Sequence, residues 1–173
     1  MTEQVLIGWL QDYGAITILV VVLLEYMNLP GFPAGVIMPL AGLWASRGGM
    51  SFLFVMAITI LAGLLGSWAL YFLGRFLGAP LLDRYTRRFP KQKPAIGRAM
   101  AFVERRGGWG LFAGKLVPML RTLISIPAGV LRMDLAQYTL FSLMGVAVWN
   151  LVFVGAGYYF GELVLPHMMG ALA

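Results

Sequence analysis

Three charged residues interrupt apolar sequence at points where a charge is costly. Glu25 ends the uncharged run 15–24, and Lys115 and Arg121 break up the otherwise apolar stretch 110–131. A lone charge in hydrocarbon must be paired, hydrated or neutralised, so such residues mark ion or substrate paths. A guanidinium is a planar fork that stays charged and matches two oxygens of a phosphate. Lys115 and Arg121 therefore suggest counter-charges for an anionic phosphate headgroup. Glu25 suggests a proton acceptor, or an ion-pair partner for those cations. The bland alternative for each is a side chain near a segment end that reaches the headgroups along its own stem.

The rest of the chain explains why these three stand out. Hydrophobic residues make up 60% of its 173 positions and charged residues only 12%, about half the charged share of an ordinary soluble domain. A body of this size has too much surface to hide that much apolar material from water. A soluble enzyme and a disordered tail are both excluded, and an integral membrane protein is expected. Thirteen Lys and Arg against seven Asp and Glu give a net charge of +6. Most of the excess falls in residues 84–106, without the interleaved aromatics of an RNA-binding surface. That stretch reads as a cytoplasmic segment near anionic lipid, with no nucleic-acid partner. Cysteine is absent, and the one histidine, His167, has no H-E-x-x-H company. No metal site, no cofactor and no enzymatic activity are expected, and there is no G-x-x-x-x-G-K-[ST] loop for ATP. The first residues, Met1-Thr2-Glu3-Gln4, lack the positive region of a cleaved signal peptide.

Two stretches, 48–74 and 135–161, are free of charge for 27 residues each. Each can hold the roughly 20 residues a helix needs to cross a bilayer. Helices are expected at about 52–74, capped by Ser51, and about 135–160, capped by Asp134. The other apolar runs are too short. Ten helical residues rise about 15 Å, roughly half the hydrocarbon thickness. The run 15–24, the elbow Pro30, Gly31, Pro33 and Gly35, and the run 36–45 together read as a re-entrant hairpin. Its broken hydrogen-bond ladder must be buried in protein or line a wet cavity. The competing reading, two thin crossings, would put Glu25 deep in the bilayer. The pattern recurs around Lys115, Pro118, Arg121, Pro127 and Gly129. Between the halves, Ile96, Ala99, Met100 and Val103 oppose Arg98, Glu104, Arg105 and Arg106, as on a helix lying in the interface.

The expected fold is all-α, a single membrane domain over residues 1–173. It comprises repeat one at about 15–78, a basic interfacial segment at about 81–106, and repeat two at about 110–161. Pro39-Leu40-Ala41-Gly42 resembles Pro127-Ala128-Gly129, and each precedes a span with a tryptophan (Trp68, Trp149) and late glycines. One full span per half makes the repeats inverted, a transporter plan with the site between broken helices. A cytoplasmic basic segment would leave the first hairpin opening outward, the second inward, and both termini outside. Arg47, Arg75 and Arg132 fall at segment ends, where anchoring is the ordinary role.

The run Gly114-Lys115-Leu116-Val117-Pro118-Met119-Leu120-Arg121-Thr122, with Pro127-Ala128-Gly129 and Trp149, resembles the DedA family of SNARE-associated or VTT-domain proteins. In the first half Glu25, Pro30, Pro33, Leu40-Ala41-Gly42, Gly66 and Tyr71-Phe72-Leu73-Gly74-Arg75 agree with it. The resemblance covers about residues 15–161. It implies facing re-entrant hairpins in the bacterial inner membrane and translocation of undecaprenyl phosphate or phospholipid, in some members with proton dependence. Glu25, Lys115 and Arg121 match positions important for activity in the family, although Lys115 is usually arginine there. Many members also carry a second acid where this sequence has Ala34 and Gly35, and a further C-terminal span. The expectation is thus a lipid translocase (flippase) for a phosphate-bearing lipid, with membrane lipids as partners and with protons as a coupling partner and an oligomer both left open. A proton-dependent transporter of small cations or drugs and a non-transporting scaffold are the alternatives.

Overall fold

A computed structural model describes residues 3–27, 37–88, 90, 93–118 and 120–170. The described residues form seven helices: α1 (Glu3–Tyr26), α2 (Ile37–Ser46), α3 (Phe52–Arg88), α4 (Lys93–Lys115), α5 (Leu120–Leu123), α6 (Ser125–Val130) and α7 (Leu135–Gly170). The expected elbow residues Pro30, Pro33 and Gly35 lie outside the described residues.

Two helices are long and apolar enough to cross a bilayer, Phe52–Gly78 and Leu135–Phe160. Both start where the sequence places them, and both expected caps form. The Phe54 amide donates to Ser51 Oγ at 3.2 Å, and the Gln137 amide donates to Asp134 Oδ1 at 2.9 Å. Each bond satisfies one of the donors a helix start leaves over. The ends differ from expectation. Helix α3 bends at Gly78 (φ 56°) and continues to Arg88. That dihedral is open to glycine without steric cost, and Pro80 follows in the first turn after the bend, where its missing N–H is no loss. The remaining apolar helices are short: Tyr13–Tyr26, Ile37–Ser46 and Leu120–Val130.

The basic segment is helical and two-faced. Ile96, Ala99 and Val103 are buried, while Arg98, Glu104, Arg105 and Arg106 are exposed. Helix α4 then bends at Gly107 (φ 55°) and runs on to Lys115.

Contacts divide the chain into two units, Met1–Gly63 with Trp149–Ala173, and Leu64–Val148. In the first, the Trp44 ring covers the backbone of Gly14, so the end of α2 lies beside the start of the apolar part of α1 and the two helices run antiparallel. Gly42 of α2 sits against the Val154 carbonyl of α7, and Gly157 of α7 against the Pro39 carbonyl. Phe52 and Tyr158 meet edge to face at 5.1 Å. Apolar helices gain little from leaving lipid for each other, so approach this close is a main source of cohesion.

The second unit is built around Tyr71, Ala99, Val103, Leu111, Ile124, Ala128, Met133 and Tyr138. Gly129 of α6 sits against the Tyr71 carbonyl of α3, and Gly74 of α3 against the Ile126 carbonyl. Helix α6 ends in a reciprocal cap: the Met133 amide donates to the Ala128 carbonyl and the Arg132 amide to the Gly129 carbonyl. Such a cap needs a left-handed residue, usually glycine, and here Arg132 takes it (φ 52°). The Met133 carbonyl freed by this turn accepts from the Tyr71 hydroxyl and from Arg75 Nη1, the latter at 3.3 Å. Arg75 also donates to the Tyr71 hydroxyl at 2.6 Å. Expected only as an anchor, Arg75 clips α3 to the turn after α6.

Candidate functional site

Lys115 is the last residue of α4, and the turn at 116–118 follows because Pro118 cannot extend the helix. Its side chain is 2% exposed. Two close approaches make that burial possible. Gly114 leaves room for the Ile124 side chain, and Gly145 of α7 lies directly over the stem of Lys115. The ammonium donates to Ser67 Oγ at 2.9 Å and Ser125 Oγ at 3.3 Å. It also stands 5.8 Å from the centre of the Tyr138 ring, within cation–π range. Tyr138 in turn donates to the Ser67 carbonyl at 2.8 Å and stacks on Tyr71 at 4.3 Å. Trp68 Nε1 donates to Thr139 Oγ1 at 3.0 Å, again joining α3 to α7.

Arg121 lies on the single turn of α5 and is also 2% exposed. The second unit therefore buries two basic side chains, and the hydrogen-bond acceptors of Lys115 among the described residues are neutral hydroxyls. A buried ammonium held by neutral acceptors gains stability from an anion.

Glu25 belongs to the first unit, next to the last residue of α1, and is 3% exposed. Its neighbour Tyr26 is buried and donates to Asn150 Oδ1 of α7 at 2.8 Å. Among the expected elbow residues, Pro118 lies in the turn between α4 and α5 and is exposed. Pro127 does not interrupt the chain: it is buried in the first turn of α6, where the missing N–H costs nothing and the helix runs through. Among the described residues no three His, Cys, Asp or Glu side chains gather as a metal site would need.

Sequence reasoning missed Ser67, Ser125, Tyr138, Tyr26 and Asn150 as polar partners. A signal was present, because Ser67 and Asn150 are buried polar groups inside charge-free spans. A polar group at that depth needs a partner.

The VTT domain family matches residues 32–159. The chain is 30% identical over 160 residues to the membrane protein YkoX of Bacillus subtilis, covering 92% of this chain and 72% of that protein. It is 32% identical over 152 residues to undecaprenyl phosphate transporter A of Staphylococcus aureus, covering 86% of this chain and 74% of the transporter. An alkaline phosphatase-like protein of Lactococcus lactis is 26% identical over 165 residues, covering 92% and 77%. No solved structure matches. With the family match covering residues 32–159, both long helices included, the chain belongs to the VTT domain family, the DedA family of membrane proteins.

Proposed function

We propose that this protein is a non-enzymatic membrane transporter that translocates a phosphate-bearing lipid across a bacterial inner membrane. The observation that carries the reading is the buried ammonium of Lys115, whose hydrogen-bond acceptors among the described residues are the neutral hydroxyls of Ser67 and Ser125. Neutral acceptors orient an ammonium without cancelling its charge. A phosphate oxygen is the natural third acceptor, and Arg121 supplies a fork for the remaining oxygens. The name of the Staphylococcus aureus relative suggests undecaprenyl phosphate as the first lipid to try. In this reading Tyr13–Tyr26 with α2, and the part of α4 after Gly107 with α5 and α6, are re-entrant hairpins of inverted repeats, and Glu25 carries a proton in exchange. The exposed arginines of α4 face the cytoplasm and gather anionic lipid there.

The test is reconstitution. Purified protein in liposomes should move labelled undecaprenyl phosphate between leaflets. Arg121→Ala and Lys115→Met should each lower the rate about 10–150-fold, since a hydrogen bond to a charged group is worth about 1.5–3 kcal/mol. Insertion into the membrane should be unchanged. Liposomes in which neither this lipid nor phospholipid moves, or an Arg121→Ala protein as active as the parent, would refute the proposal.

A further inference from the structure

The two glycine seats correspond position by position. Gly42 meets the Val154 carbonyl and the Tyr158 amide, while Gly129 meets the Tyr71 carbonyl and the Arg75 amide. Val154 and Tyr71, Tyr158 and Arg75, and Gly157 and Gly74 are each 83 residues apart, and Gly42 and Gly129 are 87 apart. The short helix of the first half is therefore received by α7, and that of the second half by α3, through the same contacts.

Carried along the spans, the interval of 83 pairs Ser67 with Asn150. Each lies seven residues, about two helical turns, before its seat glycine. Each is fully or almost fully buried. Each accepts a hydrogen bond from the last residue of the helix that precedes the short helix received by its own span: Asn150 from Tyr26 of α1, beside Glu25, and Ser67 from Lys115 of α4. Stability does not account for Asn150. Its Nδ2 is buried with no acceptor among the described residues, and an unmet buried donor costs about what the Tyr26 bond returns. A leucine there would pack without that cost.

We infer that Ser67 and Asn150 are equivalent positioning residues, one on each span, that hold the charge-bearing end of the hairpin seated on that span. Asn150 fixes Tyr26 and so the direction of Glu25. Ser67 fixes the ammonium of Lys115 and, with Ser125, leaves one of its three N–H bonds for a ligand oxygen. What the held charges do rests on the proposed function, whereas the holding contacts are independent of it.

The double variant Tyr26→Phe with Asn150→Leu separates positioning from stability. Replacing both partners of a buried hydrogen bond by apolar groups is close to neutral, so its melting temperature should equal or exceed that of the parent. Transfer of labelled undecaprenyl phosphate in liposomes should fall roughly 5–10-fold, as expected for one lost hydrogen bond. Ser67→Ala should raise the half-saturating lipid concentration by a similar factor, and Ser67→Thr should restore it. Transfer at the parental rate by the double variant, or no rescue by threonine, overturns the inference. If the parent protein moves no lipid, the proposed function fails, and the inference is read by labelling instead. The chain has no cysteine, so Glu25→Cys offers a single thiol. Its reaction with a maleimide should quicken several-fold when Tyr26→Phe and Asn150→Leu are added, and an unchanged rate overturns the inference.

Discussion

Gly42→Ala should be among the most damaging single-methyl additions available in this protein. A Cβ at position 42 would overlap the Val154 carbonyl and lie 2.9 Å from the Tyr158 nitrogen. Ordinary contact needs about 3.5–4 Å, and both obstacles are backbone, which cannot rotate aside. Helices α2 and α7 must then part by roughly an ångström, which also opens the reciprocal contact of Gly157 with the Pro39 carbonyl. Overpacking of this kind costs about 1–3 kcal/mol. The upper end applies here because close approach is a main adhesive between apolar helices. At about 2–4 °C per kcal/mol for a chain of this length, the melting temperature should drop by about 6–12 °C. Gly97→Ala is the internal control. Position 97 is exposed within α4, and nothing lies within 4 Å of an added Cβ, so alanine should raise stability by about 0.5–1 kcal/mol. Thermal unfolding in detergent, followed by helical circular dichroism, reads both. A Gly42→Ala protein that melts with the parent, while Gly97→Ala rises as expected, would show that the seat is not backbone on backbone.

Gly145→Ala places a methyl 2.8 Å from Lys115 Cβ and 3.3 Å from Cδ; it should displace the ammonium and lower lipid transfer at least tenfold in liposomes, with insertion unchanged. Arg132→Gly removes a side chain from a left-handed position (φ 52°), so the protein should gain about 1 kcal/mol, seen as a higher melting temperature. Arg105→Cys, on the exposed face of α4, should react with an impermeant maleimide only after spheroplasts are permeabilised. Labelling of intact spheroplasts would overturn the proposed orientation.

The features legible in the sequence were those set by local chemistry. Ser51 and Asp134 announce their helices because a cap acts within three residues, and the two faces of α4 follow from spacing alone. Burial of Glu25, Lys115 and Arg121 was readable because a charge inside an apolar run has few places to go. The far end of α3 was not readable. Gly78 could have stopped the helix or merely bent it, and the choice depends on what the residues up to Arg88 meet in the folded chain. Pro127 misled for a related reason, since a proline breaks a helix or begins one according to where the first turn falls. The partners of Lys115 and Tyr26 were hidden by distance along the chain: Ser67 is 48 residues from Lys115, and Asn150 is 124 from Tyr26.

The exchange of short helices between halves limits how such a protein can be divided. A polypeptide ending near residue 90 would hold a short helix, α2, with nothing to receive it and a long rod with a vacant notch, and the remainder would have the same two defects in reverse. Neither fragment should persist alone, yet the two expressed together have every complementary surface they need. A half-length precursor would have faced the same situation and could have met it only by trading arms with a twin, so that joining the twins into one chain would preserve a partnership already in place.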